Sequence, residues 1–365
     1  MDGGMPVRAL AHALAIAVGV TAAATGLSAQ APHELSVYAL VDAGPVRVPG
    51  RCSCIASPFD LTYAATRGPR NGPASPLDGT PPTINPVHVA DDRASLGATA
   101  ADGISGNPHA SLATATHLSL ESAMAGTHLA TEQEAARWLH LAVTQEHPDA
   151  FRLLAFRYGR GRGVPQNDSA AAFWFHQGAL RGDAISMTAL GLRYASGRGV
   201  TQNWNAAVTW WKRAQARAPL ASRFVGDAYA CGLGVELAPR DAETAYKAAV
   251  EAGEPGASTQ LGHLYARGCV DAPDAEAVTA YQRGADEGDP EAQVALSDLM
   301  REGRGTEVNP YLAYTLARLA ELRLPDGPLK TLAADRVKRA IRLMNPAAVA
   351  GQEAMVRSMI GSAVR

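Results

Sequence analysis

Residues 186–200 read Ser186-Met187-Thr188-Ala189-Leu190-Gly191-Leu192-Arg193-Tyr194-Ala195-Ser196-Gly197-Arg198-Gly199-Val200. Ser186, Leu190, Gly191 and Tyr194 share one face of a helix, because offsets of eight, four and three residues return to the same side of a 3.6-residue turn. The glycines at 197 and 199 then stop the helix, since a residue without Cβ takes positive φ freely. The same phrase recurs. A bulky anchor three residues before a glycine stands at Tyr158, Tyr194, Tyr229, Tyr265 and Met300, at successive gaps of 36, 35, 36 and 35. Four residues before each anchor comes Leu154, Leu190, Val225, Leu261 or Leu296. Three before comes Ala155, Gly191, Gly226, Gly262 or Ser297, and eight before comes Ala150, Ser186, Ala221, Ala257 or Ala292. Large residues fill a core, and small ones admit a neighbouring helix. A fixed period of this length is the mark of a repeat array.

A second helix follows each turn. Ala171, Ala207, Ala242 and Ala277 stand four residues before Phe175, Trp211, Tyr246 and Tyr281, and the element closes on Gly182, Ala218, Gly253 and Gly288. These phrases resemble the Sel1-like repeat, an α/α relative of the tetratricopeptide repeat. The resemblance covers 148–323 as five copies. It implies an all-α superhelical solenoid with no cofactor, acting as a scaffold that binds a protein or peptide. The copies are not uniform. The fourth has Val270 where the second glycine belongs, and the fifth has Met300 as anchor and no aromatic at the matching place of its second helix. Trp138 precedes Trp174 by 36 residues, so 109–147 reads as a degenerate N-terminal repeat. Residues 324–365, broken at Pro346, read as two capping helices that hide the last apolar face.

Upstream of the array the texture differs. Arg8, an Ala-rich apolar stretch and Leu27-Ser28-Ala29-Gln30 have the layout of a secretory signal over 1–29. An uncleaved anchor is the rival reading, and membrane contact is expected only in that case. Residues 30–108, rich in Pro, Gly and Ala, read as a disordered linker. Within it, Leu35–Val41 has the pattern of a short strand. The expected location is therefore periplasmic or secreted.

The composition excludes some functions. A formal net charge of −2 and the absence of a Lys/Arg-dense block argue against nucleic acid as a partner. No nucleophile elbow, zinc-protease helix or phosphate loop occurs, and the expectation is no enzyme, no catalytic residue and no metal. Arg181-Gly182-Asp183 spells an adhesion tripeptide, yet Glu287-Gly288-Asp289 repeats its place, so it belongs to the turn. The resemblance carries an alternative, a cell-wall or β-lactam binding or hydrolysing protein. For acyl transfer only Cys231 or Ser196 offers a nucleophile, with no base assigned.

The resemblance also implies that first helices line a concave groove. Mapped by offset from each anchor, the groove residues are Arg152, Phe156 and Arg160; Ile185, Thr188 and Leu192; Arg223, Asp227 and Cys231; Thr259, His263 and Arg267; Val294, Asp298 and Arg301. Asp227, His263 and Asp298 form one column, read as a polar strip for a peptide partner in the cell envelope, or else as a carboxylate–imidazole–carboxylate row. Stacking brings the turns of copies three and four together. In an oxidising compartment this gives either a Cys231–Cys269 disulfide or two partly buried thiols. Cys52 and Cys54 are too close to pair without a strained ring, and a link to another molecule is an equal alternative.

Overall fold

The computed structural model describes Cys54, residues 106–125 and residues 129–363. The expected signal, nearly all of the expected linker and the strand-like Leu35–Val41 lie outside the described residues. Those described form fourteen α-helices and no strand. They are α1 Pro108–Ala125, α2 Leu129–Thr144, α3 Pro148–Arg160, α4 Asp168–Leu180, α5 Ala184–Ser196, α6 Trp204–Ala214, α7 Pro219–Cys231, α8 Pro239–Glu251, α9 Ala257–Ala266, α10 Asp274–Asp286, α11 Pro290–Glu302, α12 Pro310–Arg323, α13 Pro328–Ile341 and α14 Pro346–Ala363. Each helix from α1 to α12 packs on the next in sequence, and α14 folds back onto α12. This is the contact pattern of a solenoid. Five helix pairs, α3–α4 to α11–α12, carry the repeats.

The helix ends follow from the sequence. Asn167, Asp183, Asn203, Asp289 and Asn309 each accept a backbone N–H with the side chain at an N-terminus. Proline opens α3, α7, α8, α11 and α12, where its missing N–H is not needed. First helices end on Gly161, Gly197, Gly232 and Gly303, all in the left-handed region. The second glycine of each turn does a different job. A Cβ on Gly163, Gly199, Gly234 or Gly305 would lie 1.9–2.4 Å from the backbone opening the preceding second helix, at Glu132, Asp168, Trp204 or Asp274. The turn of one repeat is thus pressed onto the helix before it, and Gly163 applies this contact to α2.

Inside each pair the small residue three before the anchor meets the aromatic of the second helix. A Cβ on Gly191, Gly226 or Gly262 would fall 2.3–2.5 Å from the rings of Trp211, Tyr246 or Tyr281. Those rings and Phe175 are buried, as are Leu154, Leu190, Val225, Leu261 and Leu296. The apolar interior runs as two large clusters. The first extends through Val225, Ala228 and Leu233, the second begins at Ala230, and Tyr229 and Cys231 pack against both. The seam between them falls inside the third repeat, between α7 and α8.

At the far end α14 is tied down by polar contacts. Tyr314 donates its hydroxyl to Glu353 at 2.7 Å, and Arg318 pairs with the same carboxylate at 3.2 Å. The Arg318 guanidinium and the Tyr314 hydroxyl hold Glu353 down at about 2. None of the described helices is long and apolar enough to cross a membrane.

Candidate functional site: polar columns of the first helices

The residues expected to line a groove do not form one uniformly wetted face. Arg152, Phe156, Thr188, Leu192, Arg223, Asp227, Thr259 and His263 are buried, with Asp227 only 2% exposed. Arg160, Asp298 and Arg301 are half-buried. Of the other mapped positions, Val294 is buried, Ile185 and Cys231 are half-buried and Arg267 is exposed. First helices are flanked by second helices and by one another, which covers most of their surface.

The column two before the anchor is matched to its own second helix. Phe156 packs edge-on against Phe175, with ring centroids 5.0 Å apart. Asp227 accepts a hydrogen bond from the Tyr246 hydroxyl at 2.7 Å. The Tyr281 hydroxyl lies 2.7 Å from His263 Nδ1, and Nε2 of that ring lies 3.2 Å from Glu291. Asp298 instead pairs with Arg301 and with Arg336 of α13. Asp227, His263 and Asp298 are therefore held by separate partners, not strung together as a row. Burial pushes the Asp227 carboxyl above the usual carboxylate range, against the opposing pull of Arg223 and the Tyr246 hydrogen bond. Burial likewise raises the Tyr281 hydroxyl.

The column six before the anchor reaches into the next repeat. Arg152 bonds Asp183, the N-cap of α5, at 3.1 Å. Arg223 lies 4.0 Å from Glu254, just ahead of α9, and Thr259 donates to Asp289, the N-cap of α11. These contacts fasten successive first helices together.

Along the turn edge a third column repeats. Arg157 and Arg162 both bond Glu132 of α2, and Arg193 and Arg198 both bond Asp168 of α4. Burial works against the Glu132 charge, but the two arginines more than reverse it and hold the carboxyl below its ordinary range. Arg304 makes the matching pair with Asp274 at 2.8 Å. In the third and fourth turns the residue between the glycine positions is Leu233 or Cys269, and no such pair can form.

The cysteine pairing corrects the sequence reading. Cys269 is bonded to Cys54, with Cα atoms 5.7 Å apart, and Cys231 is itself disulfide-bonded, so a Cys231–Cys269 bridge is not formed. That expectation rested on neighbouring turns alone. Cys269 takes the place used by Arg162, Arg198 and Arg304, while Cys231 is still in the last turn of α7. Cys54, expected in a linker and open to a link with another molecule, is instead 3% exposed within the second core. His147 is also buried. It caps α3 through Nδ1 and meets His109 at 3.0 Å through Nε2.

These features define a protein class, an α/α solenoid built from helix-pair repeats. Residues 148–183, 184–214 and 290–321 match the Sel1 repeat, so the chain carries three recognised copies of that repeat. Among solved structures it is similar to a protective antigen present in uropathogenic Escherichia coli strains and displaying an SLR fold. That similarity has 25% identity and a TM-score of 0.57, and covers 67% of this chain and 56% of the antigen. The chain thus spans little more than half of that protein's length. A Sel1 repeat protein from Oxalobacter formigenes shares the fold at 24% identity and a TM-score of 0.51, covering 62% of this chain and 96% of the other. No curated protein matches the chain.

Proposed function

We propose that this chain is an exported scaffold or adaptor that holds a protein or peptide partner in the cell envelope. The reading is carried by the solenoid itself, an extended repeat surface of the kind that mediates protein–protein interaction. Export is supported by the signal-like layout of 1–29 and by the Cys54–Cys269 disulfide, a bond that persists in oxidising compartments. The similarity to a protein described as a protective antigen agrees with an envelope location.

Within the groove the burial pattern divides the labour. Arg160, Asp298 and Arg301 retain solvent access and make direct contact with the partner. The buried Arg152, Arg223 and Thr259 fasten each first helix to the next repeat instead, and Asp227 and His263 hold first helices to their second helices. Catalysis through Cys231 is disfavoured, because a disulfide-bonded cysteine offers no thiolate. The Ser196 hydroxyl donates to the Arg193 carbonyl at 3.3 Å and is engaged in its own helix.

The test is affinity capture from the native envelope fraction, with the parent and an Asp298→Arg/Arg301→Glu variant as baits. The parent is expected to enrich a specific partner that the variant retains at least tenfold less well, with unchanged helical circular dichroism. Equal capture by both baits, or recovery of the native protein from the cytosol, overturns the reading.

A further inference from the structure

The last two helices carry a charge opposite to that of the repeats they close. Residues 324–365 hold seven Lys/Arg against three Asp/Glu, a net of +4 in a chain whose total is −2. Residues 241–323, immediately before them, hold seven Lys/Arg against fifteen Asp/Glu, a net of −8. Apolar side chains accompany the basic ones. Of the eight large hydrophobic residues exposed among the described residues, Leu332, Ile341 and Leu343 lie on α13 or in the turn after it. We propose that the outer face of α13 docks on an anionic phospholipid surface, its leucines entering the interface and Lys338, Arg339 and Arg342 meeting the lipid phosphates.

Helical spacing makes this face continuous. Ala333, Val337 and Ala340, at spacings of four and three, are buried in the apolar clusters of the array. Thr331, Lys338 and Arg342, at spacings of seven and four, run along the opposite side with Leu332 and Arg339 beside them, and all five are exposed. Asp335 is the only acid between Pro328 and Leu343, and Arg336 and Arg339 share it at 2.8 Å. Lys338 and Arg342 have no ion-pair partner among the described residues, so their charges are open to a ligand.

An acidic protein would need a surface shaped to this mixture of leucines and cations. A fluid bilayer interface accepts it without shape matching. The acyl region receives the apolar groups, and the long basic side chains reach back to the headgroups. The same surface repels the acidic residues 241–323, so the array stands away from the bilayer with its repeats free to hold a partner. No described helix is long and apolar enough to cross a membrane, and this contact needs no uncleaved anchor at 1–29.

The test is co-sedimentation of the purified full chain with vesicles, which reads this face whether or not the chain is exported. Vesicles of phosphatidylglycerol mixed equally with phosphatidylcholine should bind about tenfold more tightly, or better, than phosphatidylcholine alone. Lys338→Glu/Arg342→Glu and Leu332→Ser/Leu343→Ser should each weaken that binding by about tenfold or more, with helical circular dichroism unchanged. The milder Lys338→Gln/Arg342→Gln, which removes charge without reversing it, should lose several-fold. Equal binding to the two vesicle types, or a charge-reversed variant that binds as the parent does, overturns the docking. A leucine variant that binds like the parent would mean attraction to any polyanion, an acidic protein included, and overturns it as well.

Discussion

The Tyr246 hydroxyl donates to Asp227 Oδ1 at 2.7 Å, across the helix pair of the third repeat and buried from solvent. The second carboxylate oxygen, Oδ2, has no hydrogen-bond partner among the described residues. The same two places hold Phe156 and Phe175 in the first repeat and Leu192 and Trp211 in the second. Where the second-helix aromatic carries a hydroxyl, the first helix supplies an acceptor. Where it does not, the first helix supplies an apolar side chain.

This pairing makes Tyr246→Phe costly, since it removes the hydroxyl that donates to a buried carboxyl. A loss of about 1–3 kcal/mol in chemical denaturation is expected. Adding Asp227→Leu, which recreates the arrangement of the earlier repeats, should recover at least half of it. A double variant as unstable as the sum of the singles would show that the two positions are not coupled.

The turn glycines separate two costs that share one backbone conformation. Gly182 has φ +88° and open space where a methyl group would stand, so Gly182→Ala should cost about 1 kcal/mol from the left-handed conformation alone. Gly199 has φ +72° and would place its Cβ 2.0 Å from the Asp168 carbonyl oxygen. Gly199→Ala adds overpacking to the same backbone strain, so it should cost about 3 kcal/mol or more and loosen the α4–α5 junction. Equal melting temperatures for the two variants would refute the close-packing role of the second glycine.

The repeat columns were legible because they rest on local steric rules. A glycine, an aromatic or an aliphatic residue recurring every 35 or 36 positions signals its packing without knowledge of its partner. The polar columns were less legible. Arg152, Thr259 and His263 look like solvated residues along their own helices, and their partners Asp183, Asp289 and Glu291 sit one repeat away, out of reach of helical periodicity. One signal was present: Asp227 and His263 occur in the copies whose second helix carries Tyr246 and Tyr281. The Cys54–Cys269 bond, between residues separated by 215 positions, had no such signal, because no repeat period relates Cys54 to the array.

The buried histidine gives a prediction about acidity. His147 caps α3 by accepting the Asp149 N–H on Nδ1, a role that requires that nitrogen to be unprotonated. Burial holds its pKa below the ordinary 6.5, with Asp149 opposing the shift and His109 adding to it. Burial lowers His140 and His176 in the same direction. Unfolded histidines then bind protons at a pH where the folded ones do not. Their contribution is fully present above about pH 6.5 and is lost as the pH falls through that value toward the lower folded pKa. Chemical denaturation between pH 7.5 and 5.5 should therefore show stability declining on acidification. His147→Asn keeps a side chain that caps well and cannot titrate in this range. The variant should remain within about 1 kcal/mol of the parent at pH 7.5 and lose less stability by pH 5.5. If it declines as steeply as the parent, His147 is not the group that senses acid at the junction of α2 and α3.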